Sequence, residues 1–193
     1  AVIATNTVTE GSDEDVAYAV ACVTLFGTAA MFLYPALPAA LHLSPRAYGL
    51  WAGASIHEVA QVVAAAFQAG PAAGGFGTIA KLARVALLAP LVLVLALRQR
   101  AGATGRRGRV QFPLFVLGFV ALILVNSTGL VTPALRANVA PITSWLLTMA
   151  LAAMGLSTDV RRLAARGVRP LALAACAWGI VALTSLGLVK LFT

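Results

Sequence analysis

Gly53-Ala54-Ser55-Ile56-His57-Glu58-Val59-Ala60-Gln61 places an imidazole, a carboxylic acid and an amide inside an apolar run. Leu50-Trp51 precedes it and Val62 to Phe67 follow it. Ionisable groups at bilayer depth are costly, so they face a partner, a water-filled cavity or a substrate path. The nonapeptide is therefore the first candidate for a functional site, and the rest of the chain decides what surrounds it.

Hydrophobic residues make up 61% of the 193 and charged residues 10%, and the mean hydropathy is +0.93. A soluble domain of this length has too little core to hide that much apolar surface. The apolar residues fall into blocks of about 20, the length that crosses a hydrocarbon core of roughly 30 Å. The class is all-α: a polytopic transmembrane helix bundle with broken helices.

Six segments are expected, at 16–34, 47–69, 78–97, 112–130, 133–156 and 168–192. Ser12, Asp13, Glu14 and Asp15 stand ahead of the first as an N-cap and dipole-matched acids, and Pro35 and Pro38 end it. The second contains the polar knot and closes at Gly70-Pro71. Gly74, Gly75 and Gly77 read as a flexible turn before the third, which Pro90 can kink. Pro141 reads as a break that splits the fifth segment in two. Gly155-Leu156-Ser157-Thr158-Asp159 reads as a helix end followed by a capping cluster.

The net charge of +8 is concentrated in two short loops. Arg98, Arg100, Arg106, Arg107 and Arg109 occupy one, and Arg161, Arg162, Arg166 and Arg169 the other. Basic loops beside spans mark the cytoplasmic side and suit anionic headgroups. Placing both inside puts the acidic N-terminus and the C-terminus outside. No aromatics interleave with the arginines, which argues against a nucleic-acid partner. Cys22 and Cys176 lie mid-span and read as small hydrophobes, with no disulfide framework. Ala1-Val2-Ile3-Ala4-Thr5 shows no secretory signal pattern and reads as an apolar helix entered partway.

On a continuous helix His57 and Gln61 are four apart, and Glu58 and Gln61 three apart, so all three cover one adjoining surface. Gly53, Ala54 and Ser55 are small enough for close backbone approach or local unwinding. A Glu58 carboxyl balanced between desolvation and a nearby cation can bind and release a proton. The plainer reading has His57, Glu58 and Gln61 hydrogen-bonding neighbouring helices to hold the bundle together. His-Glu-x-x-Gln is one residue short of the helical zinc motif His-Glu-x-x-His. Gln61 stands at the second ligand position, where an amide oxygen is a poor zinc ligand. The only other histidine, His42, lies in a loop. A metalloprotease is disfavoured, and neither an enzyme activity nor a cofactor is expected.

Lys81 and Arg84 share a helix face. They either snorkel to headgroups, line an anion path or pair with Glu58. Asn126 and Ser127 either cap a helix end or contact a ligand. The candidate pathway set is thus Gly53, Ser55, His57, Glu58, Gln61, Lys81, Arg84 and Asn126.

Three stretches, from Gly49 to Ala66, Lys81 to Pro90 and Leu151 to Asp159, resemble the YeiH-type family of membrane proteins described as sulfate exporters. Phe26-Gly27, Met31 to Pro35 and Pro113 to Phe119 fit the same family. The resemblance covers nearly the whole chain. It implies about ten transmembrane helices in two inverted repeats, a fold that puts substrate at the midplane between broken helices. It also implies that this chain is the later part of the family's chain, half of the inverted-repeat fold, with most of the first repeat outside it.

The expected function is a secondary transporter in the bacterial inner membrane that moves sulfate or another small inorganic anion, coupled to protons. Helix ends opened near Gly53 to Ser55 would offer backbone N–H groups to the anion. The alternative is a truncated or accessory membrane protein without independent transport, completed by an N-terminal half or by a second copy.

Overall fold

A computed structural model describes Val2, Asn6 and residues 11–102, 114–157 and 167–193. Every regular element among them is helical. Helix α1 covers Asp13–Leu33 and runs into a 3-10 turn at Tyr34–Ala36. Helices α2 and α3 are Pro45–Ser55 and Val59–Ala66, the latter followed by a 3-10 turn at Phe67–Ala69. Helix α4 is Pro71–Gly102, α5 Leu114–Ser127, α6 Pro133–Ser157 and α7 Val168–Phe192. Two stretches, Asp13–Ala36 and Val168–Phe192, are long and apolar enough to cross a membrane among the described residues.

The chain divides into two compact units. The larger joins Ala17–Arg84 to Ala150–Thr193, and the other joins Ala1–Val16 to Val85–Met149.

Within the larger unit, α2 packs on α7, and Trp51 Nε1 donates to the Ala182 carbonyl at 2.9 Å. Tyr34 stacks on Trp51 with ring centroids 4.0 Å apart and planes 6° from parallel. Tyr48, Ile56, Val62, Ala65, Ala66 and Ala73 complete the buried core around them.

Local chemistry explains the helix ends. Ser12 Oγ accepts from the Asp15 N–H at 3.2 Å ahead of α1, and Ser44 Oγ accepts from the Ala47 N–H ahead of α2, with Pro45 at the first helical position. Gly70, at φ +105°, turns the chain into Pro71 and α4.

Three expectations are corrected. Segment 47–69 is not one helix, because Ile56, His57 and Glu58 leave the helical ladder. Gly74, Gly75 and Gly77 are not a turn but belong to α4. Their neighbourhood is packed: a Cβ on Gly49 would lie 2.3 Å from the Ala73 carbonyl oxygen, and one on Gly53 2.3 Å from that of Gly77. The small residues bring α2 and α4 backbone to backbone, as in membrane helix pairs with small residues four apart. Finally, α6 passes through Pro141 unbroken, since one missing N–H removes one ladder bond of many.

In the other unit, Thr132 Oγ1 accepts from the Leu135 N–H at the start of α6. Arg98 and Arg100, expected in a loop, have helical backbone in α4. Arg106, Arg107, Arg109, Arg161, Arg162, Arg166, Pro113, Thr158 and Asp159 lie outside the described residues.

Candidate functional site

The interruption between α2 and α3 gathers the sequence-derived candidates of the larger unit. Ile56 is extended (φ −67°, ψ 144°), as is Glu58 (φ −115°, ψ 150°). The helix stops where a local competitor meets a distant donor. Ser55 Oγ donates back to the Trp51 carbonyl at 2.6 Å. Lys81, in the first half of α4, donates through Nζ to the Ile56 carbonyl at 2.8 Å and to the His57 carbonyl. Arg84 donates to the Ala54 carbonyl at 2.5 Å. Tyr48 spans the break, its hydroxyl donating to the Ala65 carbonyl of α3 at 3.1 Å.

The polarity of this arrangement corrects one expectation. Gly53 to Ser55 stay helical and form the C-terminal end of α2, where carbonyls rather than N–H groups are left over. That end carries partial negative charge and attracts cations. The free N–H groups belong instead to the first turn of α3, whose N-cap is Glu58.

Glu58 Oε1 accepts from Thr24 Oγ1 of α1 at 3.2 Å, and Oε2 is buried without a hydrogen-bond partner among the described residues. Gln61 is 0% exposed. Its amide nitrogen donates to the Thr24 carbonyl at 3.4 Å and to Thr28 Oγ1 at 3.3 Å, while Oε1 has no partner among the described residues. A Cβ on Gly27 would lie 2.0 Å from that oxygen, so Gly27 is the opening in α1 that admits the amide. His57 Nδ1 has no partner among the described residues, and His57 lines a cavity of about 390 Å³ with Tyr18, Cys22, Phe26, Leu173 and Trp178.

The shared face expected from helical spacing is not the reason these groups meet, because the break falls among them. Gln61 and Glu58 both turn to α1, whereas His57 faces the cavity. Lys81 does not place its hydrogen bonds on Glu58 but on the carbonyls of the break. Nor does it snorkel to the surface, being 5% exposed. Asn126 belongs to the other unit, where its Oδ1 accepts from the Arg136 guanidinium at 3.0 Å.

Thr24, Thr28 and Gly27 were not among the sequence candidates. Their signal was available: three small or hydroxyl residues on one face of α1, four and three apart. Gly49-x-x-x-Gly53 and Ala73-x-x-x-Gly77 likewise announce the close α2–α4 contact.

The sequence signature of a family described as Conserved hypothetical protein 698 matches residues 1–174. The UPF0324 inner membrane protein YeiH of Salmonella typhi is 42% identical over 188 residues, covering 94% of this chain and 54% of its own length. The Escherichia coli K12 protein of the same description is 39% identical over the same shares. The UPF0324 membrane protein TauZ of Paracoccus denitrificans is 40% identical over 168 residues, 85% of this chain and 50% of its own. The chain thus spans about half the length of these relatives. No solved structure matches it. A family signature running through nine-tenths of the chain, with relatives about 40% identical over most of it, places it in the Conserved hypothetical protein 698 family, alongside the YeiH-type membrane proteins.

Proposed function

We propose that this chain forms the substrate and coupling region of a multi-pass secondary transporter of the bacterial inner membrane, with a small inorganic anion such as sulfate as cargo. The observation that carries the reading is the interrupted helix. Two helix ends meet in an apolar core beside a carboxyl and an imidazole, each with an atom lacking a partner among the described residues. Discontinuous helices with ionisable groups at their ends are how secondary carriers build ion and substrate sites. The first-turn N–H groups of α3 suit an anion, and the cavity beside His57 gives it room. Glu58 is the proton-coupling group, Gln61 orients substrate, and Lys81 with Arg84 balances charge. The inverted repeat belongs to the same proposal, with its first half supplied by the rest of a family-length protein.

Labelled sulfate flux into proteoliposomes under an imposed pH gradient tests this, with the chain and Salmonella YeiH reconstituted side by side. Flux that follows the gradient and is lost on Glu58→Gln is the expected result. Gradient-driven flux that survives Glu58→Gln removes Glu58 as the coupling group. Flux from YeiH and none from this chain favours the second reading, a membrane protein without independent transport.

A further inference from the structure

Three carbonyls at the end of α2 take hydrogen bonds from two cations of α4. Lys81 Nζ donates to the Ile56 carbonyl at 2.8 Å and to the His57 carbonyl, and Arg84 to that of Ala54 at 2.5 Å. The two arrangements differ. Arg84 reaches one carbonyl from an exposed position, whereas the Lys81 ammonium is buried and bridges two consecutive ones. An ammonium is a compact, strongly hydrated point charge, and it gives up water only where oxygens replace it. Here the replacement oxygens sit at the negative end of a helix. The next residue is Glu58, whose Oε2 has no hydrogen-bond partner among the described residues. Unwound carbonyls at a half-helix C-terminus, with a carboxylate nearby, are the oxygen donors that hold a bare monovalent cation in carriers with broken helices.

We propose that the Lys81 ammonium is a tethered cation in a carbonyl site, and that a free monovalent ion such as Na⁺ enters the site when the ammonium is removed. With Lys81 present the helix end carries its countercharge covalently and takes up no ion from solution. The binding site stands on the geometry of the break alone. Its consequence for coupling rests on the transporter reading: a carrier wired in this way gains nothing from a Na⁺ gradient and is left with the proton. The residue that decides this is Lys81, because Arg84 engages the Ala54 carbonyl, which still lies within α2.

Thermal unfolding of the purified chain in NaCl, KCl and choline chloride at equal ionic strength tests the site without any transport. The flux assay and the cation assay can therefore fail independently of each other. The unsubstituted chain is expected to unfold at one temperature in all three salts. Lys81→Met keeps the length of the side chain and removes the charge. It is expected to melt lower in choline and to gain stability saturably with Na⁺ or K⁺, by about 3–6 °C at ten times the dissociation constant. Recovery of Lys81→Met only when a metal salt is present is the same result in stronger form. Equal melting of Lys81→Met in all three salts overturns the proposal, as does a saturable Na⁺ response of the unsubstituted chain. Failure to recover Lys81→Met in any salt also overturns it, since a free ion must then be unable to replace the ammonium.

Discussion

The α2–α4 region and the α5–α6 pair are both apolar, yet they use apolar residues in opposite ways. Around the break the contacts are made by small residues, and Val62, Ala65, Ala66 and Ala73 are fully buried. Along α5 and α6 the large side chains face outward: Leu122 is 69% exposed and Trp145 71%, with Leu124, Ile142 and Leu146 alongside. The lesson concerns solvent. Large apolar residues left outside call for hydrocarbon or a covering partner. Small residues let backbones approach, and among the described residues it is there that buried carbonyls, amides and a lysine are held within reach of one another. Polar chemistry sits where the helices are closest, not where hydrophobicity is greatest.

The sharpest test of that contrast uses the same substitution in both regions. A Cβ on Gly53 meets the Gly77 carbonyl oxygen at 2.3 Å and Ala80 at 2.8 Å, whereas one on Gly118 of α5 meets nothing within 4 Å among the described residues. Gly53→Ala is expected to cost about 3 kcal/mol. Gly118→Ala is expected to be neutral or to stabilise α5 by about 0.5–1 kcal/mol. Unfolding midpoints of the two variants in one detergent measure this, and similar midpoints break the comparison.

A truncation pair comes next in size. Val62→Ala removes two methyl groups from a fully buried site and should cost about 2 kcal/mol. Leu122→Ala removes more atoms from an exposed one and should stay within about 0.5 kcal/mol. If Leu122→Ala proves the more damaging, its face is covered by protein and the reading of α5 changes. The smallest loss among the buried positions is expected at Trp51. Trp51→Phe keeps a ring against Tyr34 but loses the hydrogen bond to the Ala182 carbonyl, a loss of about 1 kcal/mol. Faster amide exchange in α7 around Ala182 would accompany it, and unchanged protection there would sever the α2–α7 link.

The site was legible where residue type alone carried the signal. His57, Glu58, Gln61, Lys81 and Arg84 stand out because ionisable and amide groups are rare in apolar segments, whatever the fold. It was illegible where partners had to be known. Helical spacing put His57, Glu58 and Gln61 on one surface, but that arithmetic holds only for an unbroken helix. Gly53, which suggested unwinding, and Gly77, which suggested a turn, are instead part of the contact between α2 and α4, while Gly74 packs on the Phe67 ring. A lone sequence does not distinguish a glycine that frees the backbone from one that lets a second backbone in.

By itself the sequence determined that the chain is helical and apolar and where its charges lie, and it marked the nonapeptide at Gly53 to Gln61, because composition and rarity are local properties. Only the tertiary structure decided that the helix breaks at Ile56 to Glu58 rather than at the glycines, and that the opened end presents carbonyls. The physical reason is the donor. Backbone carbonyls leave a helix in an apolar core only when another group satisfies them, and that group is Lys81, 25 residues beyond Ile56 and on another helix.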